Sequence, residues 1–320
     1  MSGVSLQYEK TYDLVFWTSI QKHTSFLIPL INEAFGGHFS EGATVRLLSG
    51  KQATKMNDES LQEGEMDALA EIVESQGDQK GGKYHFELQS WPDGTMAIRM
   101  AEYGVAAAYD SIVWDGMTAE MTIPHTAVIF LRSNDSTLDI YSIVIHHPGG
   151  EAAYEVPVLK LRNYTIDDIF KKKLLLLLPY IPFLFEDRFG EMNGEGGSIE
   201  DLRGTLDDVN DRLDAMIQEG ELDETKKNRI IDWLKRVFDK LTIKYTKVQE
   251  GVDEIMNGYI LHTRTDDIFD QGMQKGMQQG RKEDAIRMHE DGLPVERIAR
   301  YVDESVETVK GWIASSPVPV

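Results

Sequence analysis

The sequence predicts an α/β or α+β chain, with a sheet flanked by helices and a helical region after it. Three observations predict this class. Runs that alternate with period two, such as KYHFELQ at 83–89, are separated by runs with helical spacing. The order helix, two strands, helix, further strands is that of a layered domain, and no internal repeat interrupts it. From about Thr165 onward, apolar residues recur at helical intervals to near the end of the chain.

Residues 9–35 (EKTYDLVFWTSIQKHTSFLIPLINEAF) read as one or two amphipathic helices. Phe26, Leu27, Leu30, Ile31 and Ala34 fall at helical spacing, and Gly36-Gly37 supplies the stop. Residues 40–64 read as polar and irregular. The stretch 65–73, EMDALAEIV, predicts a strand with Asp67, Leu69, Glu71 and Val73 on one face. SQGDQKGG supplies a turn, so 83–89 follows as the hairpin partner. After SWPDGT, a helix is expected from about Met96 to Tyr109, burying Ile98, Ala101, Val105 and Ala108, with Arg99, Glu102 and Tyr103 beside that stripe. Strands are expected at 126–132 (TAVIFLR), 138–147 (LDIYSIVIHH) and 154–161 (YEVPVLKL).

The apolar stretch Leu174 to Phe185, LLLLLPYIPFLF, is too short to cross a bilayer and reads as a buried helix or helix end. Asp167-Asp168 suits the positive end of a helix that begins there. The glycines and acids of 186–200 (EDRFGEMNGEGGSIE) mark a linker. They divide the chain into 1–186, an acidic linker with amphipathic helices at 187–262, and a small helical segment at 263–320. Helices are expected at 200–219 and 223–257, then three short ones separated by EDGLP and VDES.

Composition narrows the function classes. With 41% hydrophobic and 27% charged residues, the 320-residue chain has a globular composition. The absence of cysteine excludes disulfides, thiolate metal sites and cysteine nucleophiles, and fits a reducing cytoplasm. MSGVSLQYEKTYD lacks the pattern of a signal peptide, and no stretch reads as a membrane span. The net charge of −21 disfavours general attraction to nucleic acid or anionic membrane. The charge is uneven: Glu186 to Glu224 holds 14 acids and 3 bases, which leaves room for a local basic groove elsewhere.

If the two strands at 65–73 and 83–89 pair, three polar residues converge. Glu87 and Gln89 share a face by parity, and Asp67 joins them from a strand about 5 Å away. Two carboxylates are what a hard cation such as Mg²⁺ takes, and a third polar group could position water. A solvated sheet face would carry the same pattern. His85 shares that face at the rim. Arg99 reads either as a phosphate contact or as a surface partner of Glu102. Tyr103 reads as packing, Ser90 as a turn cap, and His146-His147 as a strand-end pair without a spaced acidic partner.

The span from YDLVF…FLIPLINEAFG through DALAEI and YHFELQSWPDGTMAIRMAEY to DDIFKKKLLLLLPYIPF resembles the PD-(D/E)XK nuclease superfamily. It is most similar to the bacterial Rpn (recombination-promoting nuclease, transposase-31-like) branch. The resemblance covers about residues 9–186, and its most specific part is the ELQS–PDG–RMAEY string. It implies an α/β, restriction-endonuclease-like fold, with a mixed central sheet flanked by helices, and a magnesium-dependent DNA endonuclease. By that resemblance Asp67 and Glu87 bind the metal, Gln89 stands in the lysine place as a third catalytic residue, and Glu33 is an auxiliary acid. Gln89 is neutral and cannot act as a base, though it can hydrogen-bond water or a phosphate oxygen. The proline of the superfamily motif is absent, because Met66 precedes Asp67. A degenerate member that binds DNA or protein is the alternative.

In the last segment, Ile298, Ala299, Val302, Val306, Val309 and Ile313 are spaced like a helix-turn-helix. Residues 281–314 carry six bases and eight acids, a poor balance for phosphate contact. Packing or homo-oligomer formation through these helices is the favoured reading over DNA recognition.

Overall fold

The computed structural model describes the chain except at residues 1–2, 41, 49–50, 55–61, 66–67, 74–80, 93, 110, 260–278, 290–291, 303 and 316–320. The chain forms two compact units, Met1–Ile260 and Leu261–Val320. Strands of the first are β1 (Thr44–Leu47), β2 (Lys51–Thr54), β3 (Gln62–Glu65), β4 (Ala68–Val73), β5 (Lys83–Gln89), β6 (Val113–Trp114), β7 (Ala119–Glu120), β8 (His125–Phe130), β9 (Ile140–His147) and β10 (Gly150–Lys160). Its helices are α1 (Gly3–Lys22), α2 (Leu27–Phe35), α3 (Met96–Tyr109), α4 (Ile166–Lys171), α5 (Phe189–Met192), α6 (Glu200–Gln218), α7 (Glu224–Leu241) and α8 (Thr246–Met256).

Six strands make one mixed sheet in the order β1-β4-β5-β8-β10-β9. The β1/β4, β4/β5 and β10/β9 pairs are antiparallel, whereas β5/β8 and β8/β10 are parallel. The parallel step from β5 to β8 needs a crossover, and α3 provides it. Alternation along β5 then sorts its side chains. Tyr84, Phe86 and Leu88 join the main core with Tyr12 and Phe16 of α1 and Leu30 of α2. On the opposite face, Met96 and Met100 of α3 pack with Val128, Phe130, Ile143 and Val156. Helices therefore cover both faces. Among the described residues no helix is long and apolar enough to cross a membrane.

Residues 9–35 divide into α1 and α2 around a short 3-10 turn at Thr24–Phe26, and Gly36 ends α2 at φ 62°, a conformation glycine adopts freely. The stretch 40–64 is not simply irregular: it contributes β1 and the β2–β3 ladder. Helix α3 keeps its expected limits but not its expected stripe. Ile98 and Val105 are exposed, while Met96, Met100, Gly104, Ala107 and Ala108 are buried. Gly104 explains part of the rotation, because a Cβ there would meet Ile123 Cγ2 at 3.1 Å.

The expected helix at 223–257 is two, α7 and α8. Between them the Thr242 amide and hydroxyl both donate to the Phe238 carbonyl, at 2.8 and 2.7 Å, where α7 ends. The apolar run forms a buried 3-10 stretch, Leu175–Leu184, which Pro179 and Pro182 keep from regular α geometry. Asp168 starts α4 in a capping box with Thr165. Residues 186–200 do not separate domains: Phe189 and Met192 belong to the main core, as do Leu206 of α6 and Val237 of α7. The border expected at 186 is thus absorbed, because the acidic surface of 187–256 hides an apolar face that completes this core.

In the second unit, residues 279–289 are helical (α9), followed by α10 (Val295–Tyr301) and α11 (Val306–Ala314). Ala285, Ile298, Ala299, Val302 and Val309 form its core. Ser305 caps α11 by accepting from Thr308 N at 3.0 Å.

Candidate active site

The odd residues of β5 leave the main core and meet α3. Leu69 stands opposite His85 in the β4/β5 ladder, so the odd side of β4 shares their face. Helix α3 is held over this face by Met96 and Met100, which carries Arg99 and Tyr103, one turn apart, to β5. The expected solvated face is therefore closed: the Glu87 side chain is 2% exposed and that of His85 0%.

Glu87 gathers three groups. Arg99 Nη2 forms an ion pair with its Oε1. Gln89 Nε2 donates to the same oxygen at 3.3 Å. His85 Nε2 lies 3.5 Å from Oε2. The Arg99 guanidinium also lies 5.7 Å from the centre of the Tyr103 ring, and the Tyr103 and His85 rings meet edge to face with their centres 5.7 Å apart. Although a charged imidazole would be attracted to Glu87, burial first and Arg99 second lower the His85 pKa from 6.5 to about 3. The ring is neutral near pH 7, so Arg99 supplies the positive charge beside Glu87.

This burial has a consequence for acid stability. Above pH 6.5 His85 is neutral in both folded and unfolded chains, and its contribution is fully present. As pH falls toward about 3, the unfolded chain takes up a proton that the folded one refuses, and stability is lost. His85→Gln is expected to flatten urea-unfolding stability across that window by up to one proton, about 1.4 kcal/mol per pH unit. An unaltered slope would mean that the ring titrates normally. His23, lowered to about 4 by burial and by Arg229 and Lys226, retains its own share of the slope.

The structure brings together Glu87, Gln89 and Arg99. Asp67 lies outside the described residues. Glu33 is not among them: its Oε1 takes Lys172 Nζ at 2.7 Å and the Tyr164 hydroxyl at 3.1 Å, on the α2 side of the main core. Glu102 is exposed on α3, and the described ion pair of Arg99 runs to Glu87. Ser90 is buried, and its carbonyl accepts from Arg132 N at 3.0 Å. His146 does have an acidic neighbour, Glu151 of β10, at 3.5 Å.

Sequence reasoning passed over Arg132, which follows β8 beside the end of β5. It grips Glu186 through two bonds of 2.6 and 2.7 Å and lies over Phe183 and the exposed Trp91. The only signal was a lone arginine closing an apolar strand.

Among the described residues no group of three His, Asp or Glu side chains is placed to hold a metal. The described oxygen donors, the Glu87 carboxylate and the Gln89 amide, are of the hard type that magnesium takes. Compared with models of known families, with curated proteins and with solved structures, the chain matches none.

Proposed function

We propose that the chain is a magnesium-dependent DNA endonuclease with a restriction-endonuclease-like fold, of the recombination-linked Rpn type. The observation that supports this reading most is the enclosure of Glu87, with Gln89 and Arg99 against it, at the end of a strand in a mixed sheet. In this reading Glu87 and Asp67 hold the cation. Magnesium, when bound, supplies a Lewis acid for the phosphodiester. Gln89 orients water or a phosphate oxygen through its amide. Arg99 pairs with Glu87, and neutral His85 beside it adds no competing positive charge.

A second reading has a specific observation in its favour. The guanidinium of Arg99 already neutralises Glu87, as in a degenerate site that has become a DNA- or protein-binding module. Plasmid nicking in magnesium, measured for wild type, Asp67→Ala and Glu87→Ala, separates the two. Each substitution is expected to slow nicking by about 10²–10³-fold, the scale of losing one group that stabilises the transition state. Nicking that survives both substitutions sinks the proposed site, and a wild type that retards DNA in a gel without cleaving it favours the binding module.

A further inference from the structure

The parallel strands β5, β8 and β10 end in one row, with Gln89 beside Phe130 and Phe130 beside Lys160. In open α/β sheets, ligands bind outside the carboxyl ends of such strands. Backbone bonds carry the β5/β8 ladder past this row: Leu131 N donates to the Gln89 carbonyl at 2.9 Å and Arg132 N to the Ser90 carbonyl at 3.0 Å. Trp91 and Arg132 therefore leave the sheet side by side, each two residues beyond the row.

Trp91 is held in place and still open to solvent. The Arg132 guanidinium lies over its ring, 5.6 Å from the centre, and over the Phe183 ring at 4.5 Å. Phe183 belongs to the main core, and Glu186 fixes the guanidinium through both carboxylate oxygens. A planar fork that cannot swing away thus backs the indole. Even so, 55% of Trp91 stays exposed. An oriented aromatic ring open to water is a surface on which a nucleobase stacks.

We propose that Trp91 is the stacking platform for an unpaired base next to the cleaved bond, which makes single-stranded or frayed DNA the substrate. This rests on the nuclease reading above and names the substrate class of that site. A base inside a duplex has both faces covered by its neighbours and cannot lie on the indole, whereas an unpaired base can. Charge leads the same way. Arg132, Lys160 and Arg162, which end or follow these strands, each hold a carboxylate: Glu186, Asp139 and Asp135. With −21 on the chain, little attraction is left for the dense phosphates of a duplex. Stacking on a neutral ring is the contact that this charge does not weaken.

Fluorescence anisotropy of a labelled oligothymidylate, alone and annealed to oligoadenylate as a blunt duplex, tests the proposal with the full chain in EDTA. The wild type is expected to bind the single strand more tightly than the duplex. Trp91→Ala is expected to weaken single-strand binding by about 5–150-fold, the loss of one base–aromatic stack. It leaves duplex binding and the far-ultraviolet circular dichroism unchanged, and Trp91→Phe restores most of the affinity. A wild type that binds no single strand or prefers the duplex overturns the proposal. So does a Trp91→Ala protein that keeps its affinity, or one that loses both affinities equally. No metal is present in this assay, so its outcome is separate from plasmid nicking. A chain that never nicks but holds single strands through Trp91 loses the nuclease reading and keeps the platform. A chain that nicks but binds single strands equally well without Trp91 loses the platform alone.

Discussion

Replacing Arg99 by methionine lowers the free energy of unfolding by about 3–5 kcal/mol, the cost of breaking a buried ion pair from one side. Methionine preserves much of the apolar stem along α3 but withdraws the guanidinium from a carboxylate that is 2% exposed. Arg99 itself retains 29% exposure, so solvent screening places the loss at the lower end of that range. Glu87→Gln costs less, because the arginine left behind can turn toward water. The double variant recovers much of the loss. A urea-based double-mutant cycle is expected to show coupling of about 1–3 kcal/mol. Strictly additive effects would mean that the pair does not form in solution.

Met100→Ala costs about 2–5 kcal/mol, as truncation of a buried large side chain does. Met100 is 0% exposed between α3 and the sheet, where it meets Val128 and Phe130. Ile98→Ala, two residues away on the same helix, changes stability by within about 0.5 kcal/mol, because Ile98 is 61% exposed. Thermal or urea unfolding of the two variants reads out which side of α3 faces the core. Equal losses would contradict the observed orientation.

Those two positions show what could be read from the residues and what could not. The limits of α3 were legible because a turn precedes it and helical spacing runs through it. Its buried face was not, because apolar residues occur on two faces and only the sheet selects between them. For β5, parity was enough to place Glu87 and Gln89 side by side. That α3 covers them, and that Arg99 twelve residues on becomes the counter-ion, is a tertiary fact with no local signature. Glu33 went elsewhere for the same reason, since Lys172 comes to it across 139 residues of sequence. The β2–β3 and β6–β7 ladders escaped notice because segments of two to four residues are too short to display a period.

The buried 3-10 stretch Leu175–Leu184 also bears on how the chain is made. Synthesis proceeds from the N-terminus, so this uncharged run leaves the ribosome before α7, the helix that packs most closely on it and ends only at Leu241. During that interval its leucines and aromatic rings have no finished cover, and such a nascent chain is a natural client for a chaperone. Translation speed through α6 and α7 thus sets how long this chain is exposed to aggregation.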